Sequence, residues 1–176
     1  VNINRYRTGI ISVLKKMGAN ISIINKRLDS NEELGDLIIK SSQLKAINIS
    51  GEIISTLIDE LPILFIACAV SIGVSKISGI QELRYKESDR IKSMEEGLIA
   101  VGIKVTSTID SIEINGGEIL GGKINSYGDH RIAMAFAIAA LISKKSITII
   151  DTKNISTSFP NFIDLMREQR ADIYEL

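Results

Sequence analysis

Two runs in this chain, Leu61–Ile72 and Ile132–Ile142, are almost unbroken in their apolar character. A helix needs about 20 apolar residues to cross a bilayer, and both runs fall well short of that. A helix that is hydrophobic all round must then be wrapped by protein, so both read as buried helices. With 176 residues, 45% of them hydrophobic and 24% charged, residues 1–176 suit one compact domain with a real core and do not suit disorder.

The 21 basic and 21 acidic side chains give a formal net charge of +0. Nucleic acid and anionic membrane surfaces, which are held by bulk positive charge, are therefore not expected as partners. With a single cysteine, Cys68, no intramolecular disulfide can form, and a reducing, cytoplasmic compartment is favoured. One cysteine and one histidine, His130, cannot make a His/Cys zinc site, and no carboxylate-rich calcium loop is present. Val1–Arg7 is polar with two arginines and does not read as a signal peptide.

Helical periodicity over Arg7–Lys16, with apolar Ile10, Ile11, Val13, Leu14 and Met17, ends at Gly18 and passes to an alternating strand over Asn20–Ile24. The same order returns at Arg90–Val101, where Met94, Leu98 and Val101 mark one face, Gly102 closes the helix and a strand starts over Lys104–Ser107. The apolar runs form a second pair. Asp59-Glu60-Leu61-Pro62 precedes the first, which ends near Gly73 and passes to a strand over Val74–Ile77. Gly128-Asp129-His130-Arg131 precedes the second, which passes to a strand over Ser146–Ile150. The chain thus reads as two copies of a mixed α/β unit, and a third opens at Thr157-Ser158-Phe159-Pro160 with a helix to about Gln169.

Charged residues gather at the starts of these helices. A helix N-terminus exposes unpaired N–H groups and about half a positive charge, which makes it an anion site. Lys86, Glu87 and Arg90 are spaced to look one way from a first helical turn; Asp129, His130 and Arg131 open the second apolar run; Asp59 precedes the first, whose Pro62 suits a first turn. Lysine and arginine at such ends suit a substrate bearing carboxylate and phosphate groups. Each feature also has an ordinary structural reading. KESDRIK taken alone reads as a solvated helix start; Asp59, Asp129, Thr157 and Ser158 read as caps; Cys68 reads as a small core residue.

The segments LIDELPILFIACAV, ELRYKESDRIKSMEEGL, GDHRIAMAFAIAAL and STSFPNFIDLM, in this order, together with the leading NRYRTGIISVLKKMGA, closely resemble the 5-enolpyruvylshikimate-3-phosphate synthase family, the 3-phosphoshikimate 1-carboxyvinyltransferases. The resemblance runs from about Asn4 to Arg167 and is to the C-terminal domain of that two-domain family only. It implies a domain of repeated small α/β units, with buried inner helices surrounded by outward-facing mixed sheets, an inside-out α/β barrel. It also implies transfer of the enolpyruvyl group of phosphoenolpyruvate to the 5-hydroxyl of shikimate 3-phosphate, with release of phosphate and without cofactor, in the pathway to aromatic amino acids.

By the same resemblance, Asp59 acts as acid/base beside the accepting hydroxyl, and Glu87 moves protons at the methylene carbon. Lys86 contacts shikimate 3-phosphate, Arg90 and Arg131 clamp phosphoenolpyruvate, His130 supports the site, and Asp129 holds the turn or orients its neighbours. The absent N-terminal domain would bring the remaining phosphate-binding groups, so the isolated chain is expected to be inactive. Two positions depart from some members: Thr157 stands where a lysine precedes Ser/Thr-Phe-Pro, and Glu82 stands where asparagine occurs. Both resemble a second branch of this glyphosate-target family. The alternatives are a domain of the related UDP-N-acetylglucosamine enolpyruvyl transferase, and a non-catalytic α/β interaction domain whose charges only cap helices.

Overall fold

A computed structural model describes residues 1–174. Among the described residues, six helices and eight strands follow in the order α1 (Gly9–Lys16), β1 (Asn20–Asp29), β2 (Glu32–Lys40), β3 (Asn48–Ile49), α2 (Leu61–Ala69), β4 (Val74–Ser78), α3 (Arg90–Ala100), β5 (Lys104–Ser107), β6 (Ser111–Asn115), β7 (Gly122–Asn125), α4 (His130–Ala140), β8 (Ile147–Ile150), α5 (Asn154–Ser158) and α6 (Phe162–Glu168). Three short 3-10 segments, Gly51–Thr56, Ile58–Glu60 and Gln81–Tyr85, join them.

The expected repetition is present in the strand pairing. The central unit is a four-stranded sheet in the order β3-β4-β6-β5, with β3 parallel to β4 and the other pairs antiparallel. Parallel neighbours need a crossover, and α2 supplies it. β7 and β8 repeat that parallel pair with α4 as the crossover. β1 and β2 repeat the antiparallel β5–β6 hairpin, and the chain start lies antiparallel along β2 as β4 lies along β6, through Ile3 N–H to Glu33 O (2.8 Å) and Gly35 N–H to Val1 O (2.9 Å). Gly18 and Gly102 occupy matching places after α1 and α3, each with φ +96°, a left-handed conformation that glycine adopts without the penalty a Cβ brings.

The helices lie inside and the sheets outside. α2 has seven of its nine residues buried, and α4 buries Ile132, Ala133, Ala135, Phe136, Ala137 and Ala139. β4 alternates exposed and buried positions, turning Ser75 and Ile77 inward. The sheets remain separate, with strand orders that do not close into one barrel. Both apolar runs stop earlier as helices than the sequence pattern suggests: α2 ends at Ala69 and α4 at Ala140, leaving Ile72, Leu141 and Ile142 exposed. The third unit has its expected helix in α6, but Thr157 and Ser158, read as caps from sequence, lie instead in the separate short helix α5, which ends before Phe159-Pro160-Asn161, where proline has no N–H to continue the ladder.

α3 and α4 cross closely enough to exclude a methyl group. A Cβ on Gly97 would lie 2.4 Å from Phe136 Cζ and 2.6 Å from Cε2, and Phe136 is fully buried. Helix propensity alone would favour alanine there by about 1 kcal/mol, whereas overpacking costs roughly 1–3 kcal/mol. Gly97→Ala is therefore expected to lower stability by about 1 kcal/mol net in urea melts, with Phe136→Leu in the same chain relieving part of the loss.

Candidate active site

The starts of α2, α3 and α4 meet at one end of this core, and the charges singled out above meet with them. Arg90, the first residue of α3, is only 1% exposed. Its Nε donates to Asp129 Oδ2 at 2.8 Å, and its Nη2 donates to Asp129 Oδ1 at 3.4 Å and Glu87 Oε2 at 2.6 Å. Its Nη1 is buried with no hydrogen-bond partner and lies 3.7 Å from Asp59 Oδ1. A charged donor left unsatisfied in the interior is costly by more than the ~1–3 kcal/mol of a neutral one, so a site built this way favours an anion that accepts from it.

Asp129 is the counter-charge. It is fully buried, and its Oδ1 accepts from the backbone N–H groups of Arg131 (2.9 Å) and Ile132 (3.5 Å), capping α4, while Ser88 Oγ donates to Oδ2 at 3.2 Å. Burial by itself pushes the Asp129 carboxyl up. The Arg90 bonds and charge, the Arg131 N–H and the Ser88 hydroxyl outweigh it and hold the group below the ordinary carboxylate range.

Asp59 lies in the 3-10 turn Ile58–Glu60 ahead of α2 and caps nothing, contrary to its structural reading from sequence. Three cations from three elements converge on its carboxylate: Arg90 Nη1 at 3.7 Å, Lys86 Nζ at 3.8 Å and Arg131 Nη2 at 3.8 Å. Arg131 Nη1 also donates to the Asp59 backbone carbonyl at 2.9 Å. All three charges sit beyond hydrogen-bonding distance of the carboxylate. Its field is thus set by cations while its lone pairs stay available, which is what a group that accepts a proton from a hydroxyl requires.

Lys86 and Glu87 are not in a first helical turn, as their spacing suggests. Lys86 has extended backbone and Asp89 caps α3 by accepting from Lys92 N–H at 3.0 Å, so the helix begins only at Arg90. The two side chains stand on a connecting loop, and Lys86 is also held by Glu82 at 2.5 Å. A cavity of 310 Å³ opens beside Glu87, lined also by Ser88, Asp89, Lys92, Ser93 and Tyr127. His130 is half-buried as the first residue of α4. Thr157 is exposed on the short helix α5 and is not drawn into the ion network.

Ser88 and Arg84 were not singled out by sequence pattern. Serine within KESDR carries no distinguishing spacing, and Arg84 acts on residues distant in sequence. Cys68 is buried, and that burial pushes its thiol up to about 11, consistent with a core residue. Among the described residues no group of three or more His, Cys, Asp or Glu could hold a metal ion, and no helix is long and apolar enough to cross a membrane.

Known proteins share this arrangement of chain. The family model for EPSP synthase (3-phosphoshikimate 1-carboxyvinyltransferase) matches residues 1–166. The chain is 47% identical over 163 residues to the 3-phosphoshikimate 1-carboxyvinyltransferase of Legionella pneumophila (strain Paris), covering 93% of this chain and 38% of that protein. The structure of EPSP synthase from Acinetobacter baumannii superposes with a TM-score of 0.91 at 44% identity, covering 97% of this chain and 40% of that one. The enolpyruvyl transferase NikO from Streptomyces tendae superposes with a TM-score of 0.70 at 16% identity, a likeness of fold alone. The chain thus spans about two fifths of the length of the relatives it matches.

Proposed function

The chain belongs to the EPSP synthase (3-phosphoshikimate 1-carboxyvinyltransferase) family, and we propose that it serves as the C-terminal domain of a two-domain cytoplasmic transferase acting on phosphoenolpyruvate and shikimate 3-phosphate. The observation that carries the reading is the convergence of Lys86, Arg90 and Arg131 on Asp59, with a buried Arg90 N–H still unpartnered. Two highly anionic substrates repel each other, and fixed cations at the reacting end offset that repulsion before the chemistry starts.

Asp59 takes the proton of the attacking 5-hydroxyl as its oxygen bonds to C2 of phosphoenolpyruvate. Glu87 delivers a proton to the methylene carbon, which becomes a methyl group. Removal of a proton from that methyl re-forms the double bond as the C2–O bond to phosphate breaks, so the electrons balance with phosphate as leaving group. Arg90 and Arg131 bind the donor's carboxylate and phosphate, Lys86 binds the acceptor, His130 supports the site, and Asp129 holds Arg90 in place. The N-terminal domain is the natural partner that supplies the rest of the phosphate contacts.

The test is phosphate release by the full-length protein given phosphoenolpyruvate and shikimate 3-phosphate, beside the isolated chain and beside UDP-N-acetylglucosamine as acceptor. Turnover at about 1–10³ s⁻¹ with the shikimate acceptor, and none by the isolated chain, is expected. Exclusive use of the nucleotide sugar would replace this substrate assignment, and full turnover by the isolated chain would remove the two-domain requirement.

A further inference from the structure

We propose that Arg84 is a positioning residue that tethers the loop carrying Lys86 and Glu87, an inference that rests on the transferase reading above. Arg84 lies in the 3-10 segment Gln81–Tyr85, and its guanidinium holds three partners at once. Nη1 donates to Asp89 Oδ2 at 2.7 Å, Nε donates to the Ile109 carbonyl at 2.9 Å, and Nη2 donates to the Thr108 carbonyl. The other oxygen of Asp89, Oδ1, caps α3. The Thr108–Ser111 turn between β5 and β6 is itself knitted by Thr108 N–H to Ser111 O at 2.9 Å.

One side chain therefore joins both ends of the loop, and it anchors them to the β5–β6 turn. The loop so closed contains only Tyr85, Lys86, Glu87 and Ser88. Packing does not hold it in place: the Tyr85 residue is 75% exposed and the Glu87 side chain 50% exposed. Its side chains are bonded one by one, Glu87 to Arg90, Lys86 to Glu82 and Ser88 to Asp129, while the Arg84–Asp89 ion pair, whose Arg84 side chain is 17% exposed and whose bonds are charge-assisted, ties the two ends of the loop to the β5–β6 turn. Only a planar fork with several donors can satisfy a carboxylate and two carbonyls together. Arg90 and Arg131 sit on helices and are locked by Asp129 and the Asp59 carbonyl, so they do not depend on this tether.

The consequence is a split between the two substrates. In the full-length protein, Arg84→Gln and the charge-keeping Arg84→Lys are compared with the parent by steady-state kinetics on each substrate and by hydrogen exchange of the loop amides. Turnover is expected to fall about tenfold as Glu87 loses its placement. The KM for shikimate 3-phosphate should rise by about threefold or more through Lys86, and the KM for phosphoenolpyruvate should stay within about twofold. Loop amides should exchange at least about tenfold faster while those of α4 are unchanged. A loss that tracks only the unfolded fraction, with both KM values and loop exchange at parent levels in the folded protein, would overturn the proposal. A parent without enolpyruvyl transfer would defeat the transferase reading instead, and loop exchange would then decide the tether by itself.

Discussion

Glu87→Gln in the full-length protein is expected to cut turnover by at least about a hundredfold, the scale of lost general acid/base catalysis, while melting temperature falls by no more than about 4 °C. The asymmetry follows from how the residue is held. The Glu87 side chain is half exposed and its one bond is to Arg90 Nη2 at 2.6 Å. A glutamine oxygen still accepts from that guanidinium, and an ion pair of this exposure contributes about 0–1 kcal/mol. Arg90 keeps its two contacts to Asp129, so the KM for phosphoenolpyruvate should move by no more than a few-fold. An amide, however, neither gives nor takes a proton at the methylene carbon. Turnover within a few-fold of the parent is the outcome that a non-catalytic interaction domain requires, and it would end the assignment of Glu87.

The largest effect on stability is expected at Asp129. Asp129→Ala removes the buried carboxylate that bonds Arg90 and also uncaps α4. Breaking a buried pair by removing one partner costs roughly 3–5 kcal/mol, and the lost cap adds about 1 kcal/mol. Against a typical total of about 5–15 kcal/mol, that loss removes from about a third to all of the stability, and the urea midpoint should fall accordingly. Asp129→Asn keeps an oxygen for the cap but loses the charge, so it should remain folded enough for a urea melt.

The pH dependence gives that variant a second use. The folded Asp129 carboxyl lies below its ordinary value, so it binds its proton less readily folded than unfolded. Its contribution is fully present above the unfolded value of about 3.9. It is lost as the pH falls from there through the lower folded value, because the unfolded chain takes up the proton first. Urea melts of the parent between pH 5 and pH 2 should show this decline, and Asp129→Asn should lack that component. An identical acid slope in both proteins would mean that Asp129 is not the group responsible.

Much of this fold was legible because two signals survive tertiary context. Continuous apolarity placed α2 and α4, and glycine after a periodic helix placed the α1–β1 and α3–β5 junctions within about two residues. Helix ends were less legible: Ile72 and Leu141 extend an apolar pattern past the point where the chain must turn, and periodicity does not report a C-cap. The segment 86–89 misled for a similar reason. Spacing on a helical wheel puts Lys86 and Glu87 beside Arg90, but the helix start is decided by the Asp89 side chain reaching Lys92 N–H. For the site, family resemblance supplied the proposed roles, and the structure shows which of those side chains come together. Asp59 and Arg131, distant in sequence, meet only because two buried helices start at the same end of the core. No local pattern contains that fact, nor the reach of Arg84 to carbonyls across the β5–β6 turn.

Arg90 leads the fully buried side chains by volume, ahead of Phe65 and Phe136. It belongs to the interior by size and to the candidate site by charge, which restricts how such a sequence can drift. An exposed site residue can be lost while the protein persists as an idle relative. Here, replacing the arginine leaves Asp129 buried without its partner, and replacing Asp129 strands the arginine. Loss of that charge is therefore coupled to loss of the fold, so folding itself retains the cation at the candidate site.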